Sequence, residues 1–184
     1  MIENTTNISS SDEMLVHGTL MMGYAQACLN LNIVAGRQAM ELITKLQPNH
    51  WYPLSHMREL ESFVLRSYKN SDPILLKVGI EMMRIWYTHG PGRSLVNRGA
   101  AFLHFQTGSS GFQSVVQGPS STVGSFDLVA FDESRGHAVV HTTTLFNRKM
   151  ECGVLIGGVI SPGDLDYVDV NNDENPDYIV IEFH

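Results

Sequence analysis

The sequence predicts an α+β fold in which an N-terminal helical half packs on a C-terminal antiparallel sheet. Up to about residue 105, apolar residues recur at intervals of three and four, which is the period of amphipathic helices. After Gly108 the composition changes to Gly, Ser, Thr and Val in short alternating runs, which are typical of strands. Helices followed by a run of strands indicate an α+β arrangement.

Helix periodicity and stop signals predict five helices in the first half of the chain. Ser11 is the predicted N-cap of the first, and Pro48 ends the second because proline cannot continue the hydrogen-bond ladder. Pro73, one residue after Asp72, opens the fourth, because proline is favoured at the first helical position. The predicted ranges are 12–31, 33–46, 55–68, 72–89 and 93–105.

Six strands are predicted in the second half. They lie near residues 112–117, 125–132, 137–146, 152–160, 166–170 and 178–183. The polar segments 132–136 and 171–176 each separate two strand-like runs, and their turn-forming residues predict hairpin connections.

Length, composition and charge bound the function. A chain of 184 residues with 43% hydrophobic residues predicts one domain over 12–184, preceded by a disordered tail over 1–11. The formal charge of −7 and the lack of a Lys/Arg cluster argue against binding to nucleic acid or to an anionic membrane surface. We find no long apolar stretch and no export signal, so we expect a cytoplasmic protein without membrane insertion.

Neither the cysteines nor the histidines show the spacing of a metal site. Cys28 and Cys152 are far apart in the chain, which predicts two reduced, buried thiols. His137 and His141 share one face of a predicted strand, but no carboxylate or cysteine lies at a matching interval, so we expect an exposed or edge role.

One acidic segment resembles a calcium loop, because Asp169, Asn171, Asp173 and Asp177 alternate with other residues. Such a density of oxygen atoms on a tight turn is what calcium requires. Glu174, however, stands where a glycine normally permits the turn. Two interpretations stay open, namely a polar hairpin loop and a weak calcium site.

Two further segments carry a family resemblance. One is the proline-bracketed run Leu46-Gln-Pro-Asn-His-Trp-Tyr-Pro53, and the other is Gly153-Val-Leu-Ile-Gly157-Gly158 in a predicted late strand. With the order of elements, over about residues 35–183, they resemble the superfamily of haem nitric-oxide/oxygen-binding (H-NOX) domains, 4-vinyl-reductase-type sensor domains and TRAPP subunits. Within this superfamily the chain resembles a branch of H-NOX-like proteins that come largely from myxobacteria.

The resemblance implies a cavity between helices and sheet that holds haem or another small apolar ligand, or else a dimerising scaffold. Haem-binding members have a proximal histidine on a helix, for which His89 is the candidate, and a Tyr-x-Ser-x-Arg motif that binds the propionates. This motif is absent, and the nearest segment, 142–148, lacks the tyrosine. We therefore expect no cofactor, with haem bound by His89 as the alternative. The metal-binding cysteine cluster of vinyl-reductase-type sensors is not matched either, since only Cys152 lies in that region.

Aromatic and flexible side chains of the helical half are the candidates for the walls of a pocket, although such residues also form ordinary cores. The predicted pocket residues are Trp51, Tyr52, Met83, Trp86, Tyr87 and His89.

The chain carries none of the common enzyme motifs, such as Gly-x-Ser-x-Gly, a P-loop or His-Glu-x-x-His. We therefore expect a non-enzymatic sensory or regulatory module in signal transduction, which binds a small ligand or a separate signalling protein and forms a homodimer through its helical face. The alternatives are a haem-based gas sensor and a dimeric scaffold for protein–protein interaction. An open cavity lined by Trp86 and Tyr87 favours sensing, whereas a filled core with an exposed apolar helical stripe favours a scaffold.

Overall fold

The computed structural model describes residues 14–184, which form eight α-helices and seven β-strands. The helices are α1 (Gly18–Asn30), α2 (Ala35–Ile43), α3 (Leu54–Ser67), α4 (Asp72–His89), α5 (Gly92–Leu95), α6 (Gly99–Thr107), α7 (Ser120–Val123) and α8 (Arg148–Ile160). The strands are β1 (Leu15–His17), β2 (Trp51–Pro53), β3 (Val116–Gln117), β4 (Phe126–Asp132), β5 (His137–Thr142), β6 (Val168–Asn171) and β7 (Tyr178–Phe183). No helix in this part of the chain is long and apolar enough to span a membrane.

The strands form two antiparallel sheets. A small sheet has the order β2-β1-β3, and the larger one has the order β4-β5-β7-β6. Burial alternates along β5, where Ala138, Val140 and Thr142 face the core, and along β7, where Ile179 and Ile181 do so. The larger sheet thus buries one face under the helices, as its period of two requires. The predicted α+β fold is confirmed.

Most predicted elements are present with small shifts at their ends. The helices over 33–46, 55–68 and 72–89 and the strand over 178–183 correspond to α2, α3, α4 and β7. Both predicted hairpins connect antiparallel neighbours, β4 with β5 and β6 with β7. The predicted helix over 93–105 is two helices, α5 and α6, and Gly99 at the start of α6 donates its N–H to Asp164.

Two predicted starts differ from the structure near the N-terminus and after α6. Helix α1 begins at Gly18, because the preceding residues pair with β2 and β3 as strand β1. Only Val116 and Gln117 of the predicted strand 112–117 are extended, since Phe112–Ser114 forms a 3₁₀ turn. The predicted tail 1–11 and the N-cap Ser11 lie outside the described residues.

The largest error concerns residues 152–160, which are not a strand but most of helix α8. The composition of β-branched residues and glycine favoured a strand. The chain is helical because the Asn147 side chain caps it, accepting hydrogen bonds from the N–H groups of Lys149 and Met150. Gly153 and Gly157, four residues apart, then lie on one helical face.

That glycine face packs directly on α4. A side chain on Gly153 would place its Cβ closer than 3.0 Å to the carbonyl oxygen of Leu76, and one on Gly157 would lie 2.6 Å from that of Ile80. On α4, Gly79 is equally close to the carbonyl oxygen of Met150. Only glycine allows the two backbones to approach this closely.

We expect Gly153→Ala to lower the free energy of unfolding by about 1–3 kcal/mol, because the added methyl group meets the backbone of α4, which cannot rotate away. Gly23→Ala on α1 is the matched control. A Cβ at Gly23 meets no atom within 4 Å, so the better helix propensity of alanine should raise stability by up to about 1 kcal/mol. Urea unfolding of both variants tests the close contact, and equal effects would contradict it.

Candidate functional site

A cavity of about 180 Å³ lies among α1, α4, α6, α8 and the start of β4. Its walls are mostly apolar, and Gly23 leaves open space on the α1 side. The large side chains around it are Leu20, Met82, Met83, Trp86, Phe105, Phe112, Phe126, Phe146, Met150 and Val154.

Aromatic contacts hold these walls in place. The rings of Trp86 and Phe105 have centroids 5.2 Å apart, which links α4 to α6. Phe112 packs against Phe126 at 5.8 Å and perpendicular to Phe146 at 6.1 Å. Tilted and edge-to-face pairs at these distances are favourable beyond their buried area, so the cavity has rigid, polarisable walls.

One carboxylate interrupts the apolar lining. Glu151 lies in the first turn of α8, and only 5% of its surface is exposed. It accepts hydrogen bonds from the hydroxyls of Thr144 and Thr142 and from Arg148 Nη1, the last at 3.0 Å. Burial raises the pKa of Glu151 to about 6, although Thr144, Arg148 and Thr142 lower it.

The guanidinium of Arg148 makes several hydrogen bonds within the chain. Besides Glu151, it donates to the carbonyl oxygens of Thr144 at 3.1 Å, of Phe146 at 3.3 Å and of Thr142 at 3.3 Å. Arg148 is not among the residues that line the cavity. Its positive charge therefore neutralises Glu151 from the side away from the cavity.

A second carboxylate, Glu61 on α3, lies near the start of α8. Burial raises its pKa to about 7; Arg58 and the N–H of Asn147 lower it, and the charge of Glu151 raises it further. The Oε1 atom of Glu61 finds no hydrogen-bond partner within residues 14–184. Two carboxyl groups, those of Glu61 and Glu151, thus lie near the start of α8.

Glu61 also influences a pair of buried groups on α1. The Tyr24 side chain is fully buried, and burial raises the pKa of its hydroxyl, with further increases from Cys28 and Glu61. Burial likewise raises the pKa of the Cys28 thiol to about 12 and that of Cys152 to about 11. Both cysteines are free and buried, as predicted, and such protonated thiols are unreactive.

The structure brings two of the six predicted pocket residues, Met83 and Trp86, to the cavity. Tyr87 does not line it, because the next position along a helix points about 100° away from Trp86. Its ring instead packs under the Arg93 guanidinium at 5.7 Å. His89, also outside the lining, is exposed at the end of α4.

The other two predicted pocket residues, Trp51 and Tyr52, lie on β2 away from the cavity, because that segment pairs with β1. The Trp51 ring contacts the ring of His17 edge-on at 4.9 Å. The Tyr52 hydroxyl accepts a hydrogen bond from the N–H of Gln47 at 2.7 Å. The aromatic pair therefore closes the loop before α3 and does not form a pocket wall.

The sequence prediction missed the part of the site that α8 and the segment before β3 contribute. Met150, Glu151 and Val154 were assigned to a strand or to its flank, and Phe112 to another strand. A signal was present, since Asn147 with Glu151 four residues later is typical of a helix start.

The acidic segment forms the β6–β7 hairpin, and several of its polar side chains have partners within the chain. Asn171 accepts from the N–H of Asp173. Lys149 lies 3.5 Å from Asp173, and Arg148 lies 3.4 Å from Asp177. Among the described residues no group of three or more His, Cys, Asp and Glu side chains could hold a metal ion. The hairpin places Asp169 on β6, and both interpretations of the segment stay predictions.

The comparisons with known proteins identify the fold. No protein-family model matches the chain, and no curated protein matches it significantly. A solved structure of a single-residue variant of Tt H-NOX is 13% identical, and the match covers 91% of this chain and 94% of that one with a TM-score of 0.62. An oxygen-binding H-NOX domain related to soluble guanylate cyclases, in its oxygen complex, is also 13% identical, over 90% and 94% of the two chains, with a TM-score of 0.61.

A third structure, that of a mutant Fe(II) unliganded H-NOX protein from K. algicida, is 9% identical over 91% and 96% of the two chains, with a TM-score of 0.58. This chain has an H-NOX-like fold. The predicted resemblance is confirmed at the level of the fold, and the similarity to myxobacterial proteins stays a prediction.

Within this H-NOX-like fold, every histidine lies outside the lining of the cavity. All eight histidines of the chain belong to the described residues, and none is among the lining side chains. His104 comes nearest in sequence, on α6 beside Phe105, but it is exposed and its ring packs edge-on against Phe131 at 4.6 Å. His137 and His141 share one half-buried face of β5.

The raised pKa of Glu61 predicts how stability depends on pH. The ordinary pKa is 4.5 and the folded value is about 7, so the folded state holds this proton more tightly. Its contribution to stability is present below pH 4.5 and is lost as the pH rises through about 7. Glu61→Gln removes this loss, so we expect the variant to be more stable than the unmodified protein near pH 8 and similar to it near pH 4.

Thermal unfolding over this pH range measures the difference. Glu59→Gln, at an exposed position of the same helix, is the matched control and should leave the pH dependence unchanged. Parallel curves for Glu61→Gln and the unmodified protein would show that Glu61 is not the group responsible.

Proposed function

We propose that this chain is a non-enzymatic sensory module that binds a small apolar molecule in the cavity between α1, α4, α6 and α8. The observation that carries the proposal is the cavity itself, which is lined mainly by aromatic and other apolar side chains within an H-NOX-like fold. Clefts with apolar walls and few polar groups are where proteins bind small ligands.

The size of the cavity limits the ligand. Its volume of about 180 Å³ is below the roughly 300–1,000 Å³ of typical ligand pockets. An apolar cavity of about 150 Å³ is known to hold a benzene molecule. We therefore infer a ligand with one aromatic ring, or an aliphatic molecule of similar volume.

Haem is the alternative, and the similar solved structures support it. One of them is described as an oxygen complex of an H-NOX domain, and another concerns the modulation of haem redox potential through porphyrin distortion. The latter is 14% identical to this chain with a TM-score of 0.62. At this level of identity the likeness concerns the fold, so the fit of haem depends on the residues of this chain.

Those residues do not fit haem. The cavity is too small for a porphyrin, and its lining offers no histidine as an axial ligand. The Arg148 guanidinium, at the end of the segment nearest to the family's propionate-binding motif, already binds Glu151 and three carbonyl oxygens. A propionate there would also face the buried carboxylate of Glu151. The proposal therefore involves no haem.

A route for the signal leads from the cavity to the surface. Glu151 lines the cavity, and its partner Arg148 also contacts Asp177. The neighbouring Lys149 donates to Asn172 at 2.9 Å. A ligand that moves the start of α8 would thus move the β6–β7 hairpin. In the proposal, a separate signalling protein detects this change, and the chain acts as a cytoplasmic homodimer.

The alternative of a protein-interaction scaffold receives less support, because a scaffold was expected to have a core without a cavity. The cavity remains open beside Trp86, although Tyr87 is not part of its wall.

We expect benzyl alcohol, a neutral probe of suitable size, to bind and to shift the indole N–H signal of Trp86 in NMR spectra. A Trp51→Phe variant assigns the signal, since the chain has two tryptophans. Gly23→Leu should weaken binding by a factor of ten or more, on the order of 1.4 kcal/mol, because the new side chain enters the cavity.

Gln26→Leu adds the same side chain on the same helix outside the lining and should leave binding unchanged. If benzyl alcohol caused no shift, or if both leucine variants weakened binding equally, the proposal would be wrong.

A further inference from the structure

The charge of the cavity restricts its ligand further than its size does. Glu151 is the one ionisable side chain among the residues that line it. The carboxylate can accept about four hydrogen bonds. Three groups of this chain donate to it, namely the hydroxyls of Thr142 and Thr144 and the Arg148 guanidinium. The Thr142 hydroxyl lies within hydrogen-bond distance of both carboxylate oxygens and shares its one proton between them, so the carboxylate receives three protons and can accept one more.

The compensating positive charge does not reach the cavity. Arg148 lies outside the lining and directs its remaining N–H groups to backbone carbonyl oxygens and to Asp177. When it is ionised, the second carboxylate, Glu61, adds negative charge that interacts with Glu151, and Arg58 offsets this charge in part. A ligand in the cavity thus meets a carboxylate and no cation.

The walls opposite favour the same type of ligand. Aromatic rings have a negative face that attracts cations, and Trp86, Phe105, Phe112 and Phe146 all border the cavity. A carboxylate together with several aromatic rings is a chemical environment in which an ammonium group is stabilised from more than one side. A carboxylate ligand would instead be buried next to a like charge.

We propose that the ligand is a small amine, bound as its ammonium ion, and that Glu151 is the residue that determines this specificity. The inference rests on the proposed function, since it concerns the ligand class of the same cavity. The ammonium group donates to Glu151, while the ring or alkyl part fills the space beside Trp86 and Phe105.

Three probes of nearly equal shape test the proposal with the full chain, namely benzylamine, benzyl alcohol and benzoate. Near neutral pH they are positive, neutral and negative. We expect benzylamine to bind on the order of tenfold more tightly than benzyl alcohol, because hydrogen bonds to charged groups are the stronger ones, and benzoate to bind most weakly. The dissociation constants come from the shift of the Trp86 indole signal.

Glu151→Gln should abolish the preference for benzylamine and improve the binding of benzoate, because Arg148 then lacks its carboxylate. Since the loss of the Glu151 charge beside the half-buried Arg148 can destabilise the protein, the double variant Arg148→Gln/Glu151→Gln removes both charges. It should bind benzyl alcohol as the unmodified protein does, without a preference for benzylamine. Glu59→Gln, at an exposed position on α3, serves as the control for a general change of charge.

Two negative outcomes have different meanings. Binding of benzyl alcohol without a preference for benzylamine, or a preference that survives in the double variant, would overturn the amine proposal and leave the proposed function standing. If neither benzylamine nor benzyl alcohol binds, both the amine proposal and the proposed function fail.

Discussion

The close contact between α4 and α8 is the constraint on which the rest of the structure depends. Glycine at positions 79, 153 and 157 lets the two helix backbones touch, so α8 lies deep in the fold although the strands surround it in sequence. From this position α8 presents Met150, Glu151 and Val154 to the cavity. The same turn directs Arg148 and Lys149 toward the β6–β7 hairpin. One packing constraint therefore fixes the wall of the cavity and its connection to the surface.

The Arg148–Glu151 pair gives the cavity its chemical character. A buried ion pair is weak evidence for stability, because the cost of removing both charges from water is similar to their attraction. Here the ion pair matters for the type of ligand that the cavity can bind. The arginine is held by its own chain and the carboxylate borders the cavity, so an acidic cofactor finds no free cation. In the proposal, a fold that is shared with a haem-related solved structure holds a smaller ligand of the opposite charge.

Helix periodicity and turn chemistry predicted α2, α3, α4 and both hairpins, because these elements follow local rules. The failure at α8 has a physical cause. Gly153 and Gly157 lower the local helix propensity. Packing against α4 offsets this loss of stability, but the sequence alone does not show that contact. The site was predicted only where it depends on helix α4, at Met83 and Trp86. The other four predicted residues are of types that are common in pocket walls, but the tertiary structure places them outside the cavity lining. They are Trp51, Tyr52, Tyr87 and His89.

In the proposed function, the cavity accepts a small molecule and not haem. The absorption spectrum of the protein, purified from cells supplied with a haem precursor, tests it most directly. We expect a spectrum without a stoichiometric Soret band. A stoichiometric Soret band that His89→Ala or His104→Ala abolishes would contradict it, because a histidine that lies outside the cavity lining would then have to reach an iron atom.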